Sequence, residues 1–119
     1  MLKKLFFLVL IVLALSLSAC SDKAEALYQA GTYTAESSGH NGPMTVEVTF
    51  SETEISEIKI LEHVESAGLS DPAIERIPAR IIEGQTLEVD IISGATITSD
   101  AIIEAVGDCI QQAGVDAEA

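Results

Sequence analysis

Between positions 44 and 50 the side chains alternate without a break: Met44, Val46, Val48 and Phe50 are apolar, and Thr45, Glu47 and Thr49 between them are polar. Successive side chains of an extended chain point to opposite faces, so this pattern fits a strand with one face buried and the other in water. A helix would scatter the same residues around its circumference. Such a strand needs partners on its edges. Residues 31–37 (Gly-Thr-Tyr-Thr-Ala-Glu-Ser) have the β-branched and aromatic content of one, joined by turn residues at 38–43. Residues 55–61, with Ile58 and Ile60 in phase, supply another after a turn at 51–54. Three strands on short connections predict an antiparallel meander.

The second half supplies helices. Asp71-Pro72 reads as a helix start, with the aspartate as N-cap and the proline at the first helical position. Pro78 then interrupts, so two short pieces near 73–76 and 79–83, or one kinked helix, are expected before Gly84. A short strand is expected at 87–90. Ile102, Ala105, Val106, Cys109, Ile110 and Ala113 recur at three- and four-residue steps, one face of a helix over 100–113 that Gly114 stops. The expected class is α+β: a small antiparallel sheet of three to four strands with helices packed on one face.

Between the expected fourth strand and the last helix lies Asp90-Ile-Ile-Ser-Gly-Ala-Thr-Ile-Thr-Ser99. Ser93, Thr96, Thr98 and Ser99 place four hydroxyls within seven positions, and Gly94 and Ala95 allow close approach to the backbone. A hydroxyl-rich loop feeding a helix N-terminus is a natural seat for a phosphate. It is equally an ordinary cap, with Ser99 as N-cap and Asp100 in the first turn. Local chemistry leaves both readings open.

The pattern Asp-x-x-Ser-Gly-Ala-Thr-x-Thr-Ser resembles the flavinylation motif of the FMN-binding domain family. That domain occurs in subunits of sodium-pumping and Rnf-type respiratory complexes, in some extracytoplasmic reductases and as small stand-alone proteins. The resemblance extends over about residues 31–114. It implies FMN held through a phosphoester on Thr96, installed by a separate flavin transferase that uses FAD and a divalent metal. It implies a cofactor site comprising Thr96, Ser93, Gly94, Ala95, Thr98 and Ser99, with Asp90 in the upstream acidic position. His63, followed by Glu65 and Gly68, resembles the loop that borders the flavin in the family, which adds His63 and Gly68; a surface residue at a strand end is the alternative for His63. Thr96 has no adjacent base to activate it, which fits modification by another enzyme rather than by itself.

The N-terminus is a secretory signal by its pattern: Lys3 and Lys4, an apolar run over 5–17, then Leu17-Ser18-Ala19-Cys20. The cysteine at the cut site resembles a bacterial lipobox, which implies a lipidated Cys20 as the first mature residue. The division is a signal peptide at 1–19, a lipidated N-terminus and tether at 20–30 that includes Tyr28, an FMN-binding domain at 31–114 and a tail at 115–119. Removing 1–19 leaves four basic against nineteen acidic residues, a formal charge of −15. Such a surface repels phosphates and excludes nucleic acid as a partner. Cys109, on the apolar helix face, reads as a core residue. His40 reads as an exposed loop residue, and two histidines are too few for haem or a multi-ligand metal site, so no metal and no catalytic residues are expected.

These readings converge on a lipid-anchored flavoprotein on the extracytoplasmic face of the cell membrane. It would be an electron carrier rather than an enzyme, passing electrons from a membrane quinone or dehydrogenase system to an external acceptor. The acidic field is expected to lower the potential of its flavin. A non-covalent FMN-binding module and a non-redox structural lipoprotein are the alternatives.

Overall fold

The computed structural model describes residues 26–114. The signal segment, Cys20, the start of the tether and the tail at 115–119 lie outside the described residues. Three strands, β1 (Gly31–Ser38), β2 (Pro43–Phe50) and β3 (Ile55–Glu62), form one antiparallel sheet in chain order. Val46 pairs with Ala35 on one side and Ile60 on the other. Two irregularities in the β2–β3 register, at Thr45/Val46 and Thr49/Phe50, keep Ile55, Ile58 and Ile60 of β3 inward despite their uneven spacing.

The alternation in β2 maps onto the sheet as expected: Met44, Val46, Val48 and Phe50 are buried, and the intervening residues are half-buried. Two helices, α1 (Asp71–Gly84) and α2 (Thr96–Ala113), cover this one face, α1 over β3 and α2 over β1 and β2. The fold is thus α+β with three strands. No fourth strand forms among the described residues: 87–90 run as irregular chain, with Leu87 and Val89 packed against the core.

α1 is a single helix rather than two pieces, with Pro78 inside it. A proline in a helix interior costs about 3 kcal/mol. Full burial of Ile77 and Ile81 contributes about 1.5–3 kcal/mol each, which offsets that cost. The helix cap also differs from expectation. Ser70 occupies the N-cap, and the Asp71 carboxylate instead accepts the Gly68 N–H at 3.0 Å. At the other end Gln85 takes the left-handed conformation (φ 51°). Its amide donates to Ile82 O and Ile55 O and accepts from Ile55 N–H, fastening the helix to β3.

Tyr28, expected in the tether, belongs to the domain. Its ring lies 4.7 Å from Phe50 (centroid to centroid), its backbone bridges Gly114, and Gln29 N–H donates to Ala113 O. The two ends of the domain are therefore held together.

α2 is tied to β1 by hydrogen bonds from Ser37 Oγ to Ala101 O, from Gln112 to Thr34 O and from the Cys109 thiol to Tyr33 O. Cys109 is fully buried, and burial, reinforced by the Asp108 charge, pushes its thiol up to about 11. A thiol reagent at neutral pH should label the folded domain slowly and the unfolded domain quickly. Rapid labelling of folded protein would show that the inward face of α2 is misassigned.

Candidate functional site

The hydroxyl-rich stretch folds as a tight turn running directly into α2. Gly94 sits at φ 85°, a conformation that suits glycine, and Ala95 N–H closes the turn on Ile92 O at 2.9 Å. The helix begins at Thr96, four residues earlier than the sequence periodicity suggests. The apolar recurrence becomes visible only at Ile102, because three of the first four helical residues carry hydroxyls.

This earlier start changes what the four hydroxyls do. Ser99 is not the N-cap. It lies inside the helix, fully buried, with its Oγ donating to Ala95 O (2.7 Å) and accepting from Ile92 N–H (3.2 Å). Thr98, 1% exposed, also turns inward, and its Oγ1 donates to Glu65 Oε1 at 2.7 Å. Since that contact uses its only proton, Ser70 Oγ, 3.3 Å away, donates to Thr98. Ser93 and Thr96 are exposed. The N-cap itself is Ala95, which has no side chain able to cap, so no side chain covers the first N–H groups of the helix.

Glu65 is the residue on which the site converges, and its carboxylate is buried. It accepts His40 N–H (2.7 Å) and Asn41 N–H (2.8 Å) from the β1–β2 turn as well as the Thr98 hydroxyl. Burial pushes the carboxyl up, but the bonds from Asn41, Thr98 and His40, aided by the charge of the His40 side chain, outweigh it and hold the group below the ordinary glutamate value. The turn can wrap this closely because residue 39 is glycine: a Cβ there would sit 2.7 Å from Glu65 Cδ and nearer still to Oε1.

Around this hub lies an open cleft of about 300 Å³. His40 and Asn41 form one wall, Ser66, Leu69 and Ser70 a second, and residues 94–98 a third. Of the residues expected at a site, Gly94, Ala95, Thr96 and Thr98 line the cleft. Ser93, Asp90, Ser99, His63 and Gly68 lie outside the lining. Ser99 and Gly68 brace the turns beside it. Asp90 is exposed, and its carbonyl accepts from Arg80 at 2.6 Å. His63 is exposed, and its Nδ1 accepts Glu65 N–H, so it helps set the Glu65 loop.

Sequence reasoning missed His40, Asn41, Ser66, Leu69, Ser70 and Ile97 as cleft residues. His40 was expected to be a plain loop residue, and nothing local to residues 38–42 reveals that Glu65 folds this turn over the start of α2. Exposed apolar residues beside a motif are the one usable signal. Leu69 is 70% and Ile97 53% exposed, and both face the cleft.

Known proteins resemble this chain over the same region. The profile of the FMN-binding domain matches residues 39–111, from the glycine behind Glu65 to near the end of α2. An NADH:acrylate oxidoreductase of Vibrio harveyi is 47% identical over 92 residues, 77% of this chain and 9% of that protein. An uncharacterized protein of Treponema pallidum (strain Nichols) is 38% identical over 82 residues, 69% of this chain and 23% of that protein. A urocanate reductase of Eggerthella lenta is 31% identical over 109 residues, 85% of this chain and 18% of that protein. This chain thus spans less than a quarter of the length of each of these relatives. The matched region contains the turn, the buried glutamate and the hydroxyl-rich helix start, and the chain belongs to the FMN-binding domain family.

Proposed function

We propose that this domain is an electron carrier whose FMN is joined by a phosphoester to Thr96, and that Cys20 anchors it by lipid to the extracytoplasmic face of the cell membrane. The observation that carries the attachment is a selection among hydroxyls. Of the four in the 93–99 stretch, Thr96 alone is both exposed and part of the cleft lining.

The residues fit the group. The uncapped first turn of α2 offers backbone N–H groups to a phosphate. Leu69 and Ile97 present apolar surface on the second and third walls of the cleft, where a flat ring system can lie. No tyrosine or phenylalanine lines the cleft, and Tyr28 and Tyr33 both pack on Phe50. Retention of free FMN at nanomolar levels would require about 12 kcal/mol of binding free energy. An open cleft without such an aromatic platform is poorly built to supply it. A covalent bond removes that requirement, and this favours attachment over a non-covalent module.

The attachment is a group transfer with FAD as co-reactant. Thr96 Oγ forms a bond to the phosphorus on the flavin side of the FAD pyrophosphate, the P–O bond to the AMP half breaks, and AMP leaves with the electron pair. The hydroxyl proton passes to a base of the flavin transferase. Nothing is oxidised. Once bound, FMN supplies the redox chemistry, while the domain fixes its position and surroundings. Electrons would enter from a membrane quinone or dehydrogenase system and leave to an extracytoplasmic acceptor. The acidic surface repels anionic headgroups and holds the tethered domain off the bilayer.

Mass spectrometry of the protein from its native membrane tests both parts of this reading. The expected spectrum shows an N-terminal acylated Cys20 and one FMN ester on the peptide containing Thr96. Cys20→Ala should lose the acyl mass. Native protein that retains residues 1–19 with an unmodified Cys20 would overturn the anchor, and a flavin-free Thr96 peptide would overturn the carrier.

A further inference from the structure

The three walls of the cleft come from segments far apart in sequence, and one carboxylate joins them. Glu65 lies behind the lining, directly before Ser66 of the second wall; it holds the first wall through His40 N–H and Asn41 N–H, and the third through Thr98. We propose that Glu65 is a positioning residue for the flavin acceptor: acting through Thr98, it fixes the turn of α2 that carries Thr96. This rests on the reading of Thr96 given above.

Thr98 lies two positions along the same helical turn as Thr96, and it is the member of that turn fixed by a charge-assisted hydrogen bond. The geometry demands a carboxylate. Both oxygens face N–H donors, and one of them also receives the Thr98 hydroxyl. Glutamine would turn an NH₂ group towards one of those donors, leaving it without an acceptor. A role limited to packing would be met by glutamine, which has the same shape. Glu65 also contacts no cleft solvent of consequence, being 8% exposed, so it acts on Thr96 through the backbone it holds rather than by touching the reacting atoms.

The test measures the initial rate of flavin transfer to the full chain, using purified flavin transferase, FAD and a divalent metal. Thr98→Val keeps the shape and removes the hydroxyl, and it should slow transfer about tenfold or more, because small misplacements of a reacting group carry penalties of that order. Thr98→Ser restores the hydroxyl and should return the rate to within about threefold of the unmutated chain. Glu65→Gln should slow transfer similarly and speed amide hydrogen exchange at His40 and Asn41. Protection of Cys109 from a thiol reagent reports that each variant is folded. If Thr98→Val exposes Cys109, Glu65→Gln carries the test. Exposure in both would make Glu65 a folding residue and overturn the proposal, as would transfer at the unmutated rate in folded Thr98→Val or Glu65→Gln. An unmutated chain that takes no flavin removes the reading of Thr96 itself, and this proposal with it.

Discussion

Thr96→Ala should abolish covalent flavin while leaving the fold almost unchanged. The hydroxyl is exposed at the first residue of α2 and makes none of the hydrogen bonds that tie the site together. Surface substitutions of this kind fall within about ±0.5 kcal/mol, and alanine is the better helix former. No neighbour can substitute as acceptor. Thr98 and Ser99 are buried and engaged inside the protein, and Ser93 lies outside the cleft lining. Thr96→Ser should retain part of the load, since it keeps the oxygen and loses only the methyl group. After co-expression with a flavin transferase, fluorescence of the denatured band on a gel and peptide mass mapping read the result directly. Flavin at the unmutated level in Thr96→Ala, or a flavin mass on Ser93 of the unmutated chain, would show that attachment lies elsewhere.

The parts of this protein legible in the sequence are those governed by short periods. The two-residue alternation of 44–50 and the three- and four-residue recurrence of 102–113 both reflect burial against a single layer, and the structure places both sets in one core. Where a boundary depends on tertiary partners, periodicity misplaces it. Thr98 and Ser99 look like cap residues because polar side chains at a helix start usually are. They are buried here because Glu65, 33 positions away, satisfies Thr98, and the turn backbone at Ile92 and Ala95 folds back to satisfy Ser99. Pro78 reads as a break, yet burial of Ile77 and Ile81 carries the helix through it. The expected strand at 87–90 joins neither edge of the sheet; Leu87 and Val89 pack on the core without strand pairing. Tyr28 looks like tether because its partner, Phe50, is twenty-two positions away.

The candidate site follows the same division. Thr96 and its glycine-alanine turn can be picked out from a ten-residue pattern. The first wall of the cleft cannot, because His40 and Asn41 are held there by backbone bonds to a glutamate some 25 residues later, with the Asn41 amide donating to Ser66 beside it. A buried carboxylate has to be fully hydrogen-bonded to be tolerated, and no single stretch of sequence states which groups will do this. The same constraint explains why a charged residue so central to the site carries no local signature, and why a glycine opposite it is the clearest consequence.

Gly39→Ala is expected to destabilise the domain strongly. The backbone at residue 39 does not need glycine for its φ, so the effect is steric. The added Cβ would meet the Glu65 carboxylate at 2.7 Å from Cδ, with the oxygen closer still. That carboxylate is not the loose end of a flexible side chain. It is fixed by His40, Asn41 and Thr98, so relief of the contact breaks at least one of these bonds. Overpacking costs about 1–3 kcal/mol and an unsatisfied buried donor about 1–3 kcal/mol more. A total of about 2–6 kcal/mol in a domain of this size should lower Tm by about 10 °C or more. Truncating the other partner provides the control. Glu65→Ala removes the obstacle, so adding Gly39→Ala to it should lower Tm little further, the signature of two residues coupled through one contact. Thermal melts of the two single variants and the double variant measure this. A Gly39→Ala domain that melts with the unmutated one, or a double variant whose loss equals the sum of the two single losses, would show that the β1–β2 turn does not close on Glu65.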